Sequence, residues 1–208
     1  MPSLAPQKRI GTWLLVISAG AWLALAALGQ RALLNYDNAA VIPGAPPAKW
    51  PTASKIPHSP GLPAIVVVAH PRCPCTRATI EELAKLMTRV HDRATATVIF
   101  VRPHGFAPDW EKTDLWTSAA RIPGVTALSD PDGVEASLFG GQASGQTMLY
   151  SVTGDLQFSG GITVSRGHAG DNLGRSAIVS LIINGISATN HTSVFGCSLH
   201  NSERAVFP

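Results

Sequence analysis

The longest apolar run in the chain lies near its N-terminus. Residues 10–29 pass without a charged side chain, and a helix of that length spans about 30 Å, the thickness of a bilayer core. Lys8 and Arg9 precede the run and only Arg31 follows closely. The positive-inside tendency therefore predicts a cytoplasmic N-terminus at residues 1–9, a transmembrane anchor, and an extracytoplasmic remainder.

A cleaved signal peptide is the alternative for the same segment. Ala24-Leu25-Ala26 has the small-x-small pattern that a signal peptidase accepts. The apolar run exceeds the ~7–15 residues of an ordinary signal peptide, which favours a retained anchor. Both alternatives place the rest of the chain outside the cytoplasm, in the periplasm if the cell is Gram-negative.

Residues 30–63 are rich in proline, with seven prolines between residues 35 and 63. Proline fixes φ and removes a backbone donor, so neither a helix nor a central strand is expected here. We predict a semi-rigid, extended stalk. A strap packed over the domain surface is the alternative for its second half.

Residues 64–208 alternate between strand and helix patterns. Residues 64–69 form a continuous run of small and β-branched side chains, typical of a strand buried on both faces. From residue 76 to 90, apolar residues recur at spacings of three and four, which predicts an amphipathic helix. Similar patterns predict strands at 95–101, 125–128, 147–152 and 156–162, and helices at 109–121, 133–139 and 176–183, the last capped by Asp171. The order predicts an α/β domain with a mixed sheet and a C-terminal tail at 185–208.

Charge is distributed unevenly along the chain. Residues 1–63 carry a net charge of +4 and residues 64–208 carry −1. A domain of that charge lacks the basic surface that binds DNA or RNA, so nucleic-acid binding is not an expected function.

Two cysteines lie where the first predicted strand meets its helix. In Cys73-Pro74-Cys75 the proline suits the first helical position, which makes Cys73 the N-cap. The helix start favours an anion, and Arg72 and Arg77 add positive charge, so we expect a nucleophilic thiolate at Cys73. Cys75 lies inside the helix and is expected to be less exposed.

The segment from His70 to Arg77 and the closing ββα unit resemble the thioredoxin superfamily over about residues 60–190. Together with the sequence SGGITVSRGHAGDN at residues 159–172, they resemble more narrowly the membrane-anchored RedB proteins. The resemblance implies a three-layer thioredoxin-like fold, an attacking role for Cys73 and a resolving role for Cys75.

The chain departs from the superfamily pattern in two places. The superfamily has C-x-x-C where this chain has C-x-C. Thioredoxins also have a cis-proline just before the strand that starts here at Thr147, where this chain has Gly145-Gln146.

A third cysteine, Cys197, lies in the tail. Side chains two positions apart on a helix point to nearly opposite faces, so a bridge between Cys73 and Cys75 requires strain. The tail contains apolar residues, and we expect it to dock with Cys197 within disulfide or shared-metal reach of the other two cysteines. Three alternatives remain for Cys197, namely a resolving cysteine, a metal ligand, or a buried apolar side chain.

The metal alternative uses Cys73, Cys75, Cys197 and His200. Three sulfur atoms and an imidazole suit zinc or cuprous ion. His168, in the loop before the last helix, is a further candidate for a proton donor or metal ligand near Cys73.

The sequence favours a membrane-anchored, extracytoplasmic thiol-disulfide oxidoreductase that acts on protein or small-molecule thiols and disulfides. This reaction requires no cofactor. The alternative from another class is a protein that binds or delivers copper or zinc on the same fold.

Overall fold

The computed structural model describes residues 7–199, with side chains from residue 11 onward. The chain divides into two compact units, Met1–Asn38 and Ala39–Pro208. The first unit contains helix α1 (Gln7–Asp37), which extends past both ends of the predicted anchor. Its Gly11–Asp37 part has a mean hydropathy of 1.8 and is long and apolar enough to cross a membrane.

Within the described residues, the second unit contains five strands and four α-helices. They are, in chain order, β1 (Ala64–Ala69), α2 (Pro74–Val90), β2 (Thr95–Arg102), α3 (Asp114–Ala120), β3 (Val125–Pro131), α4 (Val134–Leu138), β4 (Thr147–Tyr150), β5 (Leu156–Gly160) and α5 (Leu173–Asn184), with a 3-10 turn after α2 (His91–Arg93).

The strands form one mixed sheet in the order β3-β2-β1-β4-β5. β1 pairs in parallel with β2, Val66 opposite Thr97, and antiparallel with β4, Val66 opposite Met148. β2 pairs in parallel with β3, and β4 with β5 as an antiparallel hairpin. This is the parallel front and antiparallel end that the sequence predicted, and it is the arrangement of a thioredoxin-like fold.

β1 lies at the centre because its side chains alternate between two apolar cores. Ile65 and Val67 face the core that α2, α3 and α5 cover. Val66 and Val68 face a second core on the other side of the sheet, where α4 packs. With helices on both faces, the unit has three layers, and the carboxyl end of β1 leads directly to the first two cysteines.

The proline-rich segment packs on the domain over residues 39–56, which we call the strap. The Val41 N–H donates to the Val194 carbonyl oxygen at 2.9 Å. The Trp50 ring meets the Phe139 ring edge-on at 4.9 Å and joins the second core. These contacts favour the strap over the expected extended stalk for residues 39–56, because the backbone and the apolar side chains of the segment find partners on the domain.

Two predicted helix starts are wrong. α3 begins at Asp114 rather than Asp109, because Asp109 has a φ of 68°, in the left-handed region that a helix does not admit. α5 is capped by Asn172 and not by Asp171: the Asn172 side-chain oxygen accepts the Arg175 N–H at 2.8 Å. Asp171 instead pairs with the Arg175 guanidinium at 2.7 Å.

Candidate active site

Cys73 is the N-cap of α2 and Pro74 is its first helical residue, as the sequence predicted. The Cys73 carbonyl accepts the Thr76 N–H at 3.0 Å and closes the first turn. Cys73 is 2% exposed and Cys75 is 7% exposed. The expectation that Cys75 would be the less exposed of the two is therefore wrong, because the tail brings Cys197 against Cys73.

Cys197 lies against Cys73, with 2.8 Å between the two Sγ atoms. All three cysteines are unbridged in this structure. A disulfide has a sulfur-sulfur distance of about 2.05 Å, so an oxidant that bridged this pair would have to bring the two sulfur atoms only about 0.8 Å closer. The distance confirms the prediction that the tail places Cys197 within disulfide reach.

Backbone pairing holds the tail in this position. The Ser144 N–H donates to the Cys197 carbonyl at 2.8 Å, and the Leu199 N–H donates to the Gln142 carbonyl at 2.9 Å. Residues 197–199 thus lie antiparallel to the segment just before β4. That segment contains Gly145-Gln146, where the superfamily has its cis-proline.

Neighbouring thiols control the ionisation of Cys73. Hydrogen bonds from Cys197 first, and from Cys75 second, hold the pKa of Cys73 far below its ordinary value, although burial opposes them. The Cys75 and Thr76 backbone amides at the helix start lower the same pKa further. The sequence predicted a lowered pKa for Cys73. The main cause of that shift is the third cysteine rather than the helix start or the arginines.

The other two thiols remain protonated when Cys73 is ionised. Hydrogen bonding to Cys73, then to Cys75, raises the pKa of Cys197. For Cys75, a hydrogen bond with Cys197 lowers the pKa, but the hydrogen bond with Cys73 and burial outweigh it and leave that pKa raised. The opposite directions of these shifts favour ionisation at Cys73 over ionisation at Cys75 or Cys197.

Ser144 joins the cysteine loop to the segment that pairs with the tail. Its hydroxyl accepts the His70 N–H at 3.0 Å and lies 2.7 Å from the Thr76 hydroxyl. Thr76 and Ser144 are both fully buried. The Ser144 side chain thus fixes three parts of the site relative to each other: the loop after β1, the first turn of α2, and the segment before β4 that pairs with the tail.

The loop between β5 and α5 also reaches the cysteines. The Gly167 backbone amide hydrogen-bonds to the Cys75 thiol and lowers its pKa. Arg166 donates through Nη1 to the Gly196 carbonyl at 2.7 Å, next to Cys197. The local sequence around Arg166 gives no sign of this role, because the contact is made with a residue 30 positions away.

A cluster of ring contacts borders the other side of Cys73. The Arg72 guanidinium lies 4.8 Å from the Trp110 ring centroid, and His70 meets the same ring edge-on at 5.8 Å. Burial lowers the pKa of His70, and Arg72 lowers it further while the Cys73 charge raises it. Nothing in the local sequence pattern of Trp110 links it to the cysteines.

An open cleft of about 480 Å³ gives access to Cys73. Its walls come from the cysteine loop and from the start of α3: Pro71, Arg72, Cys73, Pro74, Arg77, Thr113, Asp114 and Leu115. Arg77 pairs with Asp114 at 2.6 Å across it. Arg72 and Arg77 thus line the cleft rather than the sulfur cluster.

The structure does not bring His168 into the sulfur cluster. His168 is exposed, and its Nδ1 lies 2.7 Å from the Arg166 carbonyl within its own turn. His200 lies outside the described residues. Within residues 11–199, no group of three or more His, Cys, Asp or Glu side chains is arranged to hold a metal ion.

Comparison with known proteins shows likeness in structure only. No protein-family model matches the chain, and no curated protein matches it in sequence. A hypothetical protein from Sinorhizobium meliloti 1021 superposes with a TM-score of 0.56 at 17% identity, over 78% of this chain and 96% of that one. An uncharacterized conserved protein from Geobacillus kaustophilus gives a TM-score of 0.56 at 13% identity, over 78% and 90%.

A weaker likeness extends to a secreted disulfide oxidoreductase of Mycobacterium tuberculosis, with a TM-score of 0.43 at 18% identity, over 60% of this chain and 83% of that one. This match is too distant to bear on function. The narrower resemblance to RedB proteins stays a prediction. The strand order and the two cores on either side of the sheet show that the chain has a thioredoxin-like fold.

Proposed function

We propose that the protein is a membrane-anchored, extracytoplasmic thiol-disulfide oxidoreductase whose redox pair is Cys73 and Cys197. The observation that carries the proposal is the 2.8 Å distance between their Sγ atoms, at the start of a helix on a thioredoxin-like fold. The lowered pKa of Cys73 supports its role as nucleophile, because the thiolate is the attacking form of cysteine.

The reaction is a two-step exchange. The Cys73 thiolate attacks one sulfur of a substrate disulfide, the substrate S–S bond breaks, and the second substrate sulfur leaves as a thiolate that takes a proton from solvent. Cys197 then gives up its proton and attacks Cys73 Sγ. A Cys73–Cys197 disulfide forms and the first substrate sulfur leaves as a thiol, so the substrate has gained the two electrons that the cysteine pair lost.

Cys197 fits the resolving role better than Cys75 does. Cys75 is part of the first turn of α2, and a disulfide between Cys75 and Cys73 would distort that turn. Cys197 is on an exposed tail segment, and its sulfur already lies against Cys73. The resolving role that the resemblance implied for Cys75 is thereby reassigned in this proposal.

Substrate turnover tests the proposal. The Cys73→Ser variant should reduce no disulfide substrate, while Cys75→Ser should retain turnover and Cys197→Ser should stall as a mixed disulfide on Cys73. Mass spectrometry of the trapped adduct identifies the attacking sulfur. Full turnover by the Cys73→Ser variant would overturn the proposal, and full turnover by Cys197→Ser would overturn the choice of resolving residue.

Metal binding is the second candidate on the chemistry of its donors: the Cys73 and Cys197 Sγ atoms lie 2.8 Å apart, and Cys75 is two residues after Cys73 along the chain. The described residues hold no preformed group of three metal ligands, so binding would require Cys75 or His200 to join the pair. Thiolates suit cuprous ion and zinc, and His200 would complete a four-ligand set. Native mass spectrometry of the reduced protein with each ion tests this candidate. If metal binding is the function, the parent protein should retain one equivalent of metal and the Cys197→Ala variant should lose it.

A further inference from the structure

The tail is anchored before Cys197, where Val194 is fully buried, but the residues from Cys197 onward are more open. Cys197 and Ser198 are both exposed, and Leu199 is only half buried. Backbone hydrogen bonds to Ser144 and Gln142 hold this segment from one side. A residue that holds it from the other side would decide how much of the time Cys197 stays near Cys73.

Arg166 makes that second contact. Its Nη1 donates to the Gly196 carbonyl at 2.7 Å, one peptide before Cys197. Its Nε donates to the Ala39 carbonyl at 2.9 Å, at the start of the strap. The planar guanidinium presents its donors at fixed angles, so it holds the tail and the strap in one geometry.

The loop that carries Arg166 is itself fixed to α2. Glu82 is fully buried and accepts the Gly170 N–H at 3.0 Å and the Asn172 Nδ2 at 3.1 Å. Arg175 of α5 donates to the same carboxylate. Because Cys73 is the N-cap of α2, this buried carboxylate connects the loop to the helix of the nucleophile.

We propose that Arg166 is the positioning residue for Cys197: through the Gly196 carbonyl it holds the tail closed and so sets how readily the Cys73–Cys197 disulfide forms. This inference rests on the proposed function, in which Cys197 resolves the mixed disulfide. It is supported by the two hydrogen bonds of the guanidinium and by the buried carboxylate that fixes its loop. A positive charge at residue 166 without the planar guanidinium should therefore not be enough to hold the tail closed.

The equilibrium with glutathione measures this effect directly. Full-length protein in detergent is equilibrated with reduced and oxidised glutathione, quenched by alkylation, and mapped by mass spectrometry. All variants carry Cys75→Ser, which leaves Cys73 and Cys197 as the one pair that can bridge. Loss of a hydrogen bond to a charged group should lower the equilibrium constant for the bridge about 10- to 100-fold in Arg166→Gln.

Two further variants separate position from charge. Arg166→Lys keeps the charge but cannot bond both carbonyls in the same geometry, so it should show most of the same loss. Arg89→Gln removes an exposed arginine from the far end of α2 and should keep the parent constant. Thermal unfolding of each variant checks that it is folded. If Arg166→Gln does not fold, Arg166→Lys serves as the test.

Parent-like constants in both Arg166 variants would overturn the inference. So would a full effect in Arg166→Gln with none in Arg166→Lys, since charge alone would then suffice. The measurement is an equilibrium with glutathione and needs no catalytic turnover of a substrate. A failure of the proposed function would appear in turnover and leave these constants intact, so the two failures are distinguishable.

Discussion

Gly196 and Ser144 approach so closely that a side chain at residue 196 has no room. A Cβ atom built on Gly196 would lie 1.8 Å from the Ser144 carbonyl oxygen. Ser144 is fully buried and bonded to His70 and Thr76, so it cannot move away cheaply. The tail would have to move instead.

The Gly196→Ala variant should therefore open the tail while keeping Cys197 in the chain. Overpacking costs about 1–3 kcal/mol, which corresponds to a loss of about 5- to 150-fold in the closed population. Alkylation of Cys197 should become faster, and the glutathione equilibrium should shift against the Cys73–Cys197 bridge.

Ser198→Ala is the matched control in the same segment. Ser198 is exposed, and its pairing with Ala143 uses the backbone alone. This variant should alkylate like the parent. Equal alkylation of Cys197 in Gly196→Ala and in the parent would contradict the close packing of the tail.

Titration of the Cys73 thiolate should depend more on Cys197 than on Cys75. The Cys197 hydrogen bond is the largest cause of the lowered pKa, and the Cys75 hydrogen bond is the second. In the parent, the thiolate should persist as the pH falls from about 8 to about 5, because the pKa of Cys73 lies far below that of a free thiol. In Cys197→Ala the pKa should rise, and the thiolate should be lost at a higher pH.

The ultraviolet absorbance of the thiolate follows this titration. Cys75→Ala should raise the pKa of Cys73 less than Cys197→Ala does, and Cys73→Ala should remove the signal. If the order of the first two variants is reversed, the hydrogen bond between Cys73 and Cys197 is not the dominant interaction.

The buried carboxylate of Glu82 should make Arg175 important for stability. Arg175→Met removes the buried guanidinium partner and leaves Glu82 fully buried. Breaking a buried ion pair costs about 3–5 kcal/mol. We expect about 3 kcal/mol in the free energy of unfolding by urea, the low end of that range, because Lys85 and two N–H donors still contact the carboxylate.

Lys85→Ala is the matched control for Arg175→Met. Lys85 pairs with the same carboxylate at 2.7 Å, but its side chain is 52% exposed. An exposed partner contributes about 0–1 kcal/mol. Similar losses in the two variants would show that burial does not distinguish the two contacts.

The N-terminal helix should be retained as an anchor. Its Gly11–Asp37 part is long and apolar enough to span a bilayer. The protein extracted from membranes should therefore have its full-length mass, and a chain starting at Ala39 should appear in the soluble fraction. A mature protein that begins near Ala26 would show instead that the segment is a cleaved signal peptide.

The sequence predicted the sheet and the start of α2 well because these depend on local patterns. The β-branched run of β1 needs burial on both faces, and Pro74 fits the first turn of a helix whatever surrounds it. The boundaries of α3 and the cap of α5 were missed, because a left-handed residue at Asp109 and a choice between Asp171 and Asn172 depend on neighbours distant in sequence.

The sequence by itself determined the apolar helix, the order of strands and helices, and a cysteine at a helix start, since each follows from periodicity or from residue type at one position. It left three alternatives open for Cys197. Tertiary structure alone placed Cys197 2.8 Å from Cys73 across 124 residues of chain, through the buried Ser144 and the Arg166 loop. Such contacts between distant segments leave no periodic trace, because each uses one hydrogen bond or one missing Cβ rather than a repeated pattern.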